Sequence, residues 1–351
     1  MQFGKIRIKD GEIIYPGHMM FGVIPCREIV WAYHGRESSE QSGEDRQVVT
    51  NSLVIVTDRP RTYRFAMTER EAVQCIQALR TINPDIVTGY PRGMRVPGQN
   101  LYNTRDLGAF EVQDGRHILP CRLLRSAELY HLSVTDKELL TGQYHIRTVI
   151  DLRSAAERRK RPDDILPGVE YHPLPLLDET SDLLFQRPGI MDILADLEGD
   201  PEEVMRQNYV HMVRDPYTIG QLARIIETFR HNGNGAVLWH CSNGKDRTDL
   251  VTAVLMCVLG VDRDTIIEEF LRTRVWLEEE KNDLIRLMSA RGFEEYIMGR
   301  RIRSFYEVKA SYLESAFEAL EKDYGSMDRF LKKALFVTPR IQEELRDKYL
   351  I

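Results

Sequence analysis

Short apolar segments separated by turn signals fill residues 1–92. Four of these segments are rich in Ile, Val, Tyr and Trp: KIRIKDGEIIYPG, FGVIPCREIVWAYHG, QVVTNSLVIVTD and RTYRFAM. Such a pattern is typical of a small antiparallel sheet or barrel. The polar stretch from Gly35 to Asp45 predicts a loop between two of the strands.

One amphipathic helix is predicted to close this first region. Thr68 and Glu71 have the spacing of a capping box, in which Thr68 caps the helix and Glu71 reaches back. The helix is expected to end near Asn83-Pro84. Its apolar face is predicted from three residues at helical spacing: Val73, Ile76 and Leu79. The Gly- and Pro-rich stretch 88–100 is then the natural linker to a second domain.

From Leu101 onward the pattern alternates between strands and helices, as in an α/β domain with a mostly parallel sheet. Strands are predicted at 147–152 and 236–240, and 171–177 should be extended because its prolines exclude helix. Helices are predicted at 154–160, within 183–215, and at 219–229, 249–259, 265–274, 277–289, 312–324, 328–335 and 339–350. A chain of 351 residues exceeds the usual single core, so we predict two domains, 1–92 and 93–351.

The stretch AVLWHCSNGKDRTDL, residues 236–250, has the pattern of a buried strand, a polar turn and the start of an apolar helix. Successive backbone N–H groups from Ser242 to Arg247 would form an anion nest, which the helix dipole reinforces. The planar fork of Arg247 can bind two phosphate oxygens. The same positive field favours a thiolate at Cys241, and Thr248 could donate its hydroxyl to the sulfur. His240 could orient the turn from behind, but we interpret it first as a core histidine with partners.

Spacing alone does not single out Cys241. Five cysteines in a chain with 48 Lys and Arg give roughly 0.7 chance matches to a cysteine followed six residues later by a basic residue. Cys257 and Arg263 form such a pair. Cys257 lies inside an apolar helix with no strand before it, so we interpret it as a core cysteine. The strand, the amide-rich turn and the helix come together at Cys241.

Composition narrows the class of function. A net charge of -6 without a long basic run argues against nucleic acid as the main partner. The densest basic run, 158–161, is interpreted as a solvated surface, with contact to an anionic substrate or membrane as the alternative. The cysteines show no C-x-x-C pair and no zinc-ligand spacing, so neither a metal nor another cofactor is predicted and a cytoplasmic location is expected. No apolar run reaches about 18 residues, so no spanning helix is predicted.

The segment HCSNGKDRTD resembles the HCxxGKDRTG signature of the atypical bacterial tyrosine phosphatases, also known as lipid-phosphatase-like or triple-specificity enzymes. Four further segments are similar to that family's pattern: NTRDLGA at 103–109, RSAEL at 125–129, VIDLRSAAE at 149–157 and YLESAFEALEKDYGS at 312–326. The resemblance covers roughly 97–351 and implies a cysteine-phosphatase fold. Two residues depart from the pattern, since Asp249 and Ala109 each stand where the family has glycine. Asp249 should suit the helix dipole but oppose a nearby dianion.

The resemblance implies a phosphomonoester hydrolase that works through a cysteinyl-phosphate intermediate. In that mechanism Cys241 attacks phosphorus, Arg247 holds the equatorial oxygens, and an aspartic acid protonates the leaving oxygen. Two candidates for the acid stay open: Asp178 in PLPLLDE, which matches an aspartate in the family's LPFPD segment, and Asp246 within the loop. The phosphate-binding residues are expected to be Ser242, Asn243, Gly244, Lys245 and Thr248.

The sequence constrains the substrate and the partner of the protein less than it constrains the catalytic residues. Lys245 and Asp246 also resemble the loops of phosphoinositide phosphatases, in which a basic residue meets a second phosphate. This likeness tilts the choice of substrate toward phosphoinositides or broad specificity. A phosphotyrosine protein is still the expected substrate, with phosphoserine, phosphothreonine or phosphoinositide as alternatives. Residues 1–92 resemble a pleckstrin-homology-like (PH-like) domain in the order of their elements, which suggests peripheral contact with a membrane or a protein. The remaining alternative is a module that binds phosphate without turning it over.

Overall fold

In its described residues, the N-terminal region consists of one α-helix and two sheets, which are antiparallel except for the parallel pairing of the last strand. The computed structural model describes residues 1–17, 20–40, 47–58, 61–89, 92–178, 200–233, 235–290, 299, 302–303 and 306–351. The first sheet has the order β1 (Gln2–Phe3), β2 (Ile6–Lys9), β3 (Glu12–Pro16), β4 (Phe21–Pro25). The second has the order β7 (Thr62–Ala66), β6 (Gln47–Thr57), β5 (Ile29–Glu40), β8 (Val87–Thr88). The prediction of an antiparallel β-rich region is confirmed.

Strand β5 is longer than the sequence predicted. Its pairing with β6 runs from Ile29 opposite Thr57 to Glu40 opposite Gln47, so the predicted loop is strand as far as Glu40. The prediction was wrong because a strand ladder is built from backbone groups, and a polar composition does not prevent it. Residues 41–46, the rest of that loop, lie outside the described residues.

Helix α1 (Glu69–Ile82) begins and ends where predicted. The Thr68–Glu71 capping box is present, and Asn83 follows as the C-cap. The buried face is turned from the predicted one, because it is centred on Ala72, Cys75 and Leu79, while Val73 is 43% exposed. The small side chains of Ala72 and Cys75 let the helix approach the strands closely.

The second region is built on one six-stranded sheet. Its order is β13 (Glu170–Pro173), β12 (Ile146–Asp151), β14 (Ala236–His240), β11 (Leu123–Ser126), β10 (Arg105–Asp106), β9 (Met94–Arg95). The first four strands are mutually parallel, and the last two pairings are antiparallel. The predicted mostly parallel sheet is confirmed, with β14 at its centre.

Nine α-helices with bounds in the described residues accompany this sheet: α2 (Val134–Glu138), α3 (Ala155–Lys160), α4 (Pro201–Arg214), α5 (Pro216–His231), α6 (Asp246–Leu259), α7 (Arg263–Ala290), α8 (Ala310–Tyr324), α9 (Met327–Lys333) and α10 (Pro339–Tyr349). A π-helix, Leu139–Gln143, directly follows α2. The two helices predicted at 265–274 and 277–289 form the single helix α7, since no glycine or proline interrupts them. Residues 183–199 of the predicted helical region lie outside the described residues. Within the described ranges, no helix is both long and apolar enough to cross a membrane.

The sheet that contains β5 and β6 is covered on both faces. On one face, Ala32, Leu53 and Ile55 belong to the core closed by α1. On the other face, an apolar cluster joins the two regions: Trp31, Tyr33, Val54, Val56 and Val87 with Ala109 and Leu119. The predicted linker contributes to both sheets, because Thr88 lies in β8 and Met94 in β9. The N-terminal region is thus packed against the α/β sheet region through an apolar cluster.

Candidate active site

The predicted nucleophile lies at the carboxyl end of the central strand. All residues of β14 are buried, and Cys241, which follows directly, is 3% exposed. Residues 241–245 form a loop, and α6 begins at Asp246. Gly244 has a φ of +63°, and a Cβ there would lie 2.6 Å from the Ser126 carbonyl oxygen. The loop therefore requires glycine at this position.

The carbonyl groups of the loop are held from outside it. Ser242 O accepts from the Glu128 amide at 3.0 Å, Asn243 O from Asn103 Nδ2 at 3.0 Å, and Gly244 O from Asn103 Nδ2 at 2.8 Å and Arg125 Nη2 at 2.7 Å. In a trans peptide the C=O and the following N–H point in opposite directions. The amides of residues 243–245 are therefore turned to the other face of the loop, an arrangement suited to an anion.

Arg247 is held by a carboxylate from α3. Its Nη1 lies 2.7 Å from Glu157 Oε2 and its Nη2 lies 2.8 Å from Glu157 Oε1, while the Ser242 hydroxyl donates to Oε1 at 2.6 Å. Burial opposes the charge of Glu157, but Arg247 outweighs it and lowers the pKa of Glu157 to about 2. Glu157 likewise holds the pKa of Arg247 above its ordinary value despite burial.

The sequence analysis did not predict that Glu157 binds Arg247, although the sequence does contain a capping box that fixes the position of Glu157. Ser154 and Glu157 form the capping box of α3, in which Glu157 Oε2 accepts from the Ser154 amide at 2.8 Å. The spacing S-x-x-E therefore marked Glu157 as fixed in position. That the same carboxylate also binds Arg247 could not be inferred from local spacing.

A buried polar cluster lies behind Cys241. His240 Nε2 is 2.8 Å from Asp163 Oδ2, and its Nδ1 is 3.1 Å from the Cys241 carbonyl oxygen. Burial disfavours the imidazolium, but Asp163 and Asp151 outweigh it and raise the pKa of His240. The ligand atoms of these three residues lie within 4.8 Å of one another, the spacing of a metal site. Arg153 already balances both carboxylates, at 2.8 Å from Asp151 and 2.7 Å from Asp163.

A second buried cluster supports the loop from the α7 side. Arg125, which binds the Gly244 carbonyl, is also paired with Asp249, and both side chains are fully buried. Glu269 of α7 lies 3.6 Å from Arg125 and 2.6 Å from Arg105. The charge of Asp249, expected to oppose a bound dianion, is thus offset by Arg125. Burial is still strong enough to raise the pKa of Asp249.

The other departure from the family's pattern, Ala109, has a φ of +66°. This left-handed conformation costs an alanine roughly 1–2 kcal/mol and a glycine little. Glycine is therefore the residue this backbone position favours.

The structure places one of the two candidate acids firmly at the loop. Asp246 is the first residue of α6, and its Oδ1 accepts from the Tyr209 hydroxyl at 2.9 Å. Lys245 Nζ lies 3.6 Å from the same oxygen. Asp178 is half-buried and ends the described range 92–178, so the segment that follows it is outside the described residues.

The remaining predicted residues differ in their contacts. Lys245 is 4% exposed, so its side chain is buried in this state. Thr248 is also buried, and its hydroxyl has no hydrogen-bond partner among the described residues, so the predicted hydrogen bond to the Cys241 sulfur is not made here. Cys257 lies in α6 and packs against the main core, where burial raises the pKa of its thiol to about 12.

The sequence of this chain is similar to those of known phosphatases. The tyrosine phosphatase family model matches residues 96–351. A predicted tyrosine-protein phosphatase of Cupriavidus necator is 28% identical over 260 residues, which span 71% of this chain and 86% of its own. The triple specificity protein phosphatase PtpB of Mycobacterium tuberculosis is 26% identical over 262 residues, 68% of this chain and 92% of its own.

A crystal structure of P. aeruginosa TpbA in complex with pTyr covers 44% of this chain and 70% of its own, at 19% identity and a TM-score of 0.22. That overlap is too low to bear on the site. The family model, in contrast, extends over more than half of the chain and includes β14, the loop and α6. The chain therefore belongs to the tyrosine phosphatase family.

Proposed function

We propose that this protein hydrolyses phosphotyrosine in proteins and that Cys241 is its nucleophile. The observation that carries the proposal is the segment 241–247, in which the carbonyls of three successive loop residues are held on the outside and Arg247, in the first turn of α6, is held by Glu157. This geometry supplies amide donors, a guanidinium fork and a thiol around one position. A phosphate dianion is the ligand that such a set of donors suits.

The proposed reaction has two steps. In the first, the Cys241 thiolate attacks phosphorus, the bond to the tyrosine oxygen breaks, and an aspartic acid gives that oxygen its proton. In the second, water attacks the phosphorus of the cysteinyl phosphate, the aspartate takes a proton from that water, and the P–S bond breaks, which releases inorganic phosphate and regenerates the Cys241 thiolate. Arg247 and the amides of the loop stabilise the charge on the equatorial oxygens in both steps.

For the acid we favour Asp246 over Asp178. The Tyr209 hydroxyl fixes the Asp246 carboxylate in the loop itself, at 2.9 Å. A general acid must first be held within reach of the leaving oxygen, and only then does its acidity matter. Asp178 remains the alternative because the segment that follows it is outside the described residues.

Phosphoinositide hydrolysis is the second candidate. It is favoured by Lys245, a basic residue inside the loop. Lys245 is buried beside Asp246 in this structure, so a second phosphate would have to draw it away from that carboxylate. Parallel phosphate-release assays on a phosphotyrosine peptide and on each phosphoinositide separate the two substrates.

For the rest of the chain we propose two domains, 1–92 and 93–351, with the first a PH-like module. Its second sheet and α1 have the order expected of such a module. Met20 and Phe21, exposed at the start of β4, would suit peripheral contact with a membrane or a protein. We also propose a cytoplasmic location, which the five free cysteines support.

The proposed activity is tested with Cys241→Ser and, as the matched control, Cys257→Ser. Wild type and Cys257→Ser should release phosphate from a phosphotyrosine peptide at similar rates, and orthovanadate should inhibit both. Cys241→Ser should release none above background. Absence of vanadate-sensitive turnover in a folded wild-type protein would overturn the proposal.

A further inference from the structure

A cavity of about 430 Å³ lies beside α3, apart from the loop of Cys241. Its walls come from β12, β13 and the segment between α3 and β13, and they are mainly apolar: Leu129, Val149, Ile165, Leu166 and Val169. Arg158 also lines it. A volume of this size with apolar walls and few polar groups is typical of sites for small ligands.

The walls of the cavity are fixed by hydrogen bonds. Asp163 Oδ1 accepts from the Leu129 amide at 2.9 Å, and Asp164 Oδ2 accepts from the Leu132 amide at 2.9 Å. The Asp164 amide in turn donates to the Leu129 carbonyl at 2.7 Å. The cavity is therefore preformed, so a ligand would not have to order its walls.

The charge that faces the cavity is positive. Asp163 is paired with Arg153 and His240, and Asp164 with Lys137 at 2.7 Å, so both carboxylates of the wall are neutralised. Arg158 makes a hydrogen bond to the Arg153 carbonyl and has no carboxylate partner among the described residues. Its guanidinium is the uncompensated charge of the wall.

We propose that this cavity binds an amphiphilic anion, with its carboxylate, sulfonate or phosphate group on Arg158 and its alkyl or aryl body between the apolar walls. Charge complementarity and the apolar lining select this class of ligand. Two neighbouring residues of α3 contact different places, since Glu157 binds Arg247 while Arg158 lines the cavity. No residue of the loop 241–245 lines the cavity, so a ligand in the cavity leaves that loop free.

The test uses the full chain with Ile165→Trp as a reporter. Ile165 lines the cavity yet is 87% exposed, so a larger side chain is tolerated there. Titration with decanoate should change the emission of the new tryptophan, and decanoate should displace 1-anilinonaphthalene-8-sulfonate from the wild-type protein. In this background Arg158→Gln should weaken binding about tenfold or more, because a charge-assisted hydrogen bond is lost. Arg159→Gln, an exposed neighbour that does not line the cavity, is the control and should stay within about twofold of its parent.

Two sources of such an anion, a free fatty acid and a lipid surface, are distinguished by a second arm. Wild type, Arg158→Gln and Arg159→Gln are sedimented with phosphatidylglycerol vesicles and, as a control, phosphatidylcholine vesicles. Decanoate binding that depends on Arg158 supports the site with a soluble ligand, and vesicle binding that depends on Arg158 supports it with a lipid. Equal binding by Arg158→Gln and Arg159→Gln in both arms, displacement of decanoate by orthovanadate, or no binding at all would overturn the proposal.

Discussion

Glu157 holds both terminal nitrogens of Arg247, with Oε2 at 2.7 Å from Nη1 and Oε1 at 2.8 Å from Nη2. A guanidinium has five N–H donors, so this pair leaves donors for a phosphate. The fork is therefore oriented before a substrate arrives. Because Glu157 is itself fixed by the capping box of α3, the orientation of Arg247 depends on the start of a six-residue helix.

Glu157→Gln should lower kcat/KM for a phosphotyrosine peptide by about 10- to 100-fold, because a misplaced guanidinium no longer fits the transition state.

The free energy of unfolding of the wild-type protein should also depend on the ionisation of Glu157. The pKa of Glu157 is lowered from 4.5 to about 2, so its contribution to stability is fully present above pH 4.5 and is lost as the pH falls through about 2. Chemical unfolding between pH 5 and pH 2 measures this loss.

The control for Glu157→Gln is Glu170→Gln, an exposed residue of β13. Its turnover and its acid unfolding should match those of the wild type. If Glu157→Gln were to keep both the wild-type rate and the wild-type pH profile, Glu157 would have no part in orienting Arg247.

Asp249→Asn should destabilise the protein by up to about 3–5 kcal/mol, since it leaves the buried Arg125 with only the more distant carboxylate of Glu269, 3.6 Å away. Combining it with Arg125→Met removes both charges and should recover much of that loss. The double variant should nevertheless stay slow, because Gly244 O then lacks its hydrogen bond to Arg125. Urea unfolding and turnover of the two single variants and the double variant measure the coupling. Additive losses of stability would show that the two residues act independently.

Thr248 and Thr252 make a matched pair on α6. The Thr248 hydroxyl is buried without a partner among the described residues, whereas Thr252 Oγ1 accepts from Trp239 Nε1 at 3.1 Å and donates to Thr248 O at 2.7 Å. Thr248→Val should therefore leave stability unchanged or raise it by up to about 1 kcal/mol. Thr252→Val should lower stability by about 1–3 kcal/mol.

The catalytic rates of the two threonine variants should rank in the opposite order to their stabilities. We expect Thr248→Val to be the slower enzyme, because its hydroxyl is the one left for the thiolate or the phosphate. Unfolding curves and rates on the same preparations decide this. A stability loss in Thr248→Val as large as that in Thr252→Val would mean that the Thr248 hydroxyl is already paired in the free protein.

Substrates with good and poor leaving groups distinguish Asp246 from Asp178 as the general acid. If Asp246 is the acid, Asp246→Asn should lose most rate on an alkyl phosphate, whose oxygen needs a proton to leave, and little on p-nitrophenyl phosphate. Asp178→Asn should then lower both rates by a similar factor. The reverse pattern would assign the acid to Asp178, and equal behaviour of the two variants on both substrates would leave neither as the acid.

The sequence predicted those elements that are determined by residues close together in the chain. The strand, loop and helix around Cys241, and the capping box at Thr68, are confirmed because each depends on neighbouring residues. The Glu157–Arg247 pair joins residues 90 apart and the Arg125–Asp249 pair residues 124 apart, so neither has a local signature. The strand character of residues 35–40 was missed for the same reason, since it depends on pairing with β6.

The most direct test of the central claim is to trap the covalent intermediate. Wild-type protein is mixed with p-nitrophenyl phosphate, quenched in acid within the first turnovers, digested and mapped by mass spectrometry. The account predicts one phosphoryl group on the peptide that carries Cys241, none on the peptide that carries Cys257, and none in Cys241→Ser. A phosphoryl group on any other residue, or turnover without a trapped intermediate at Cys241, would contradict it.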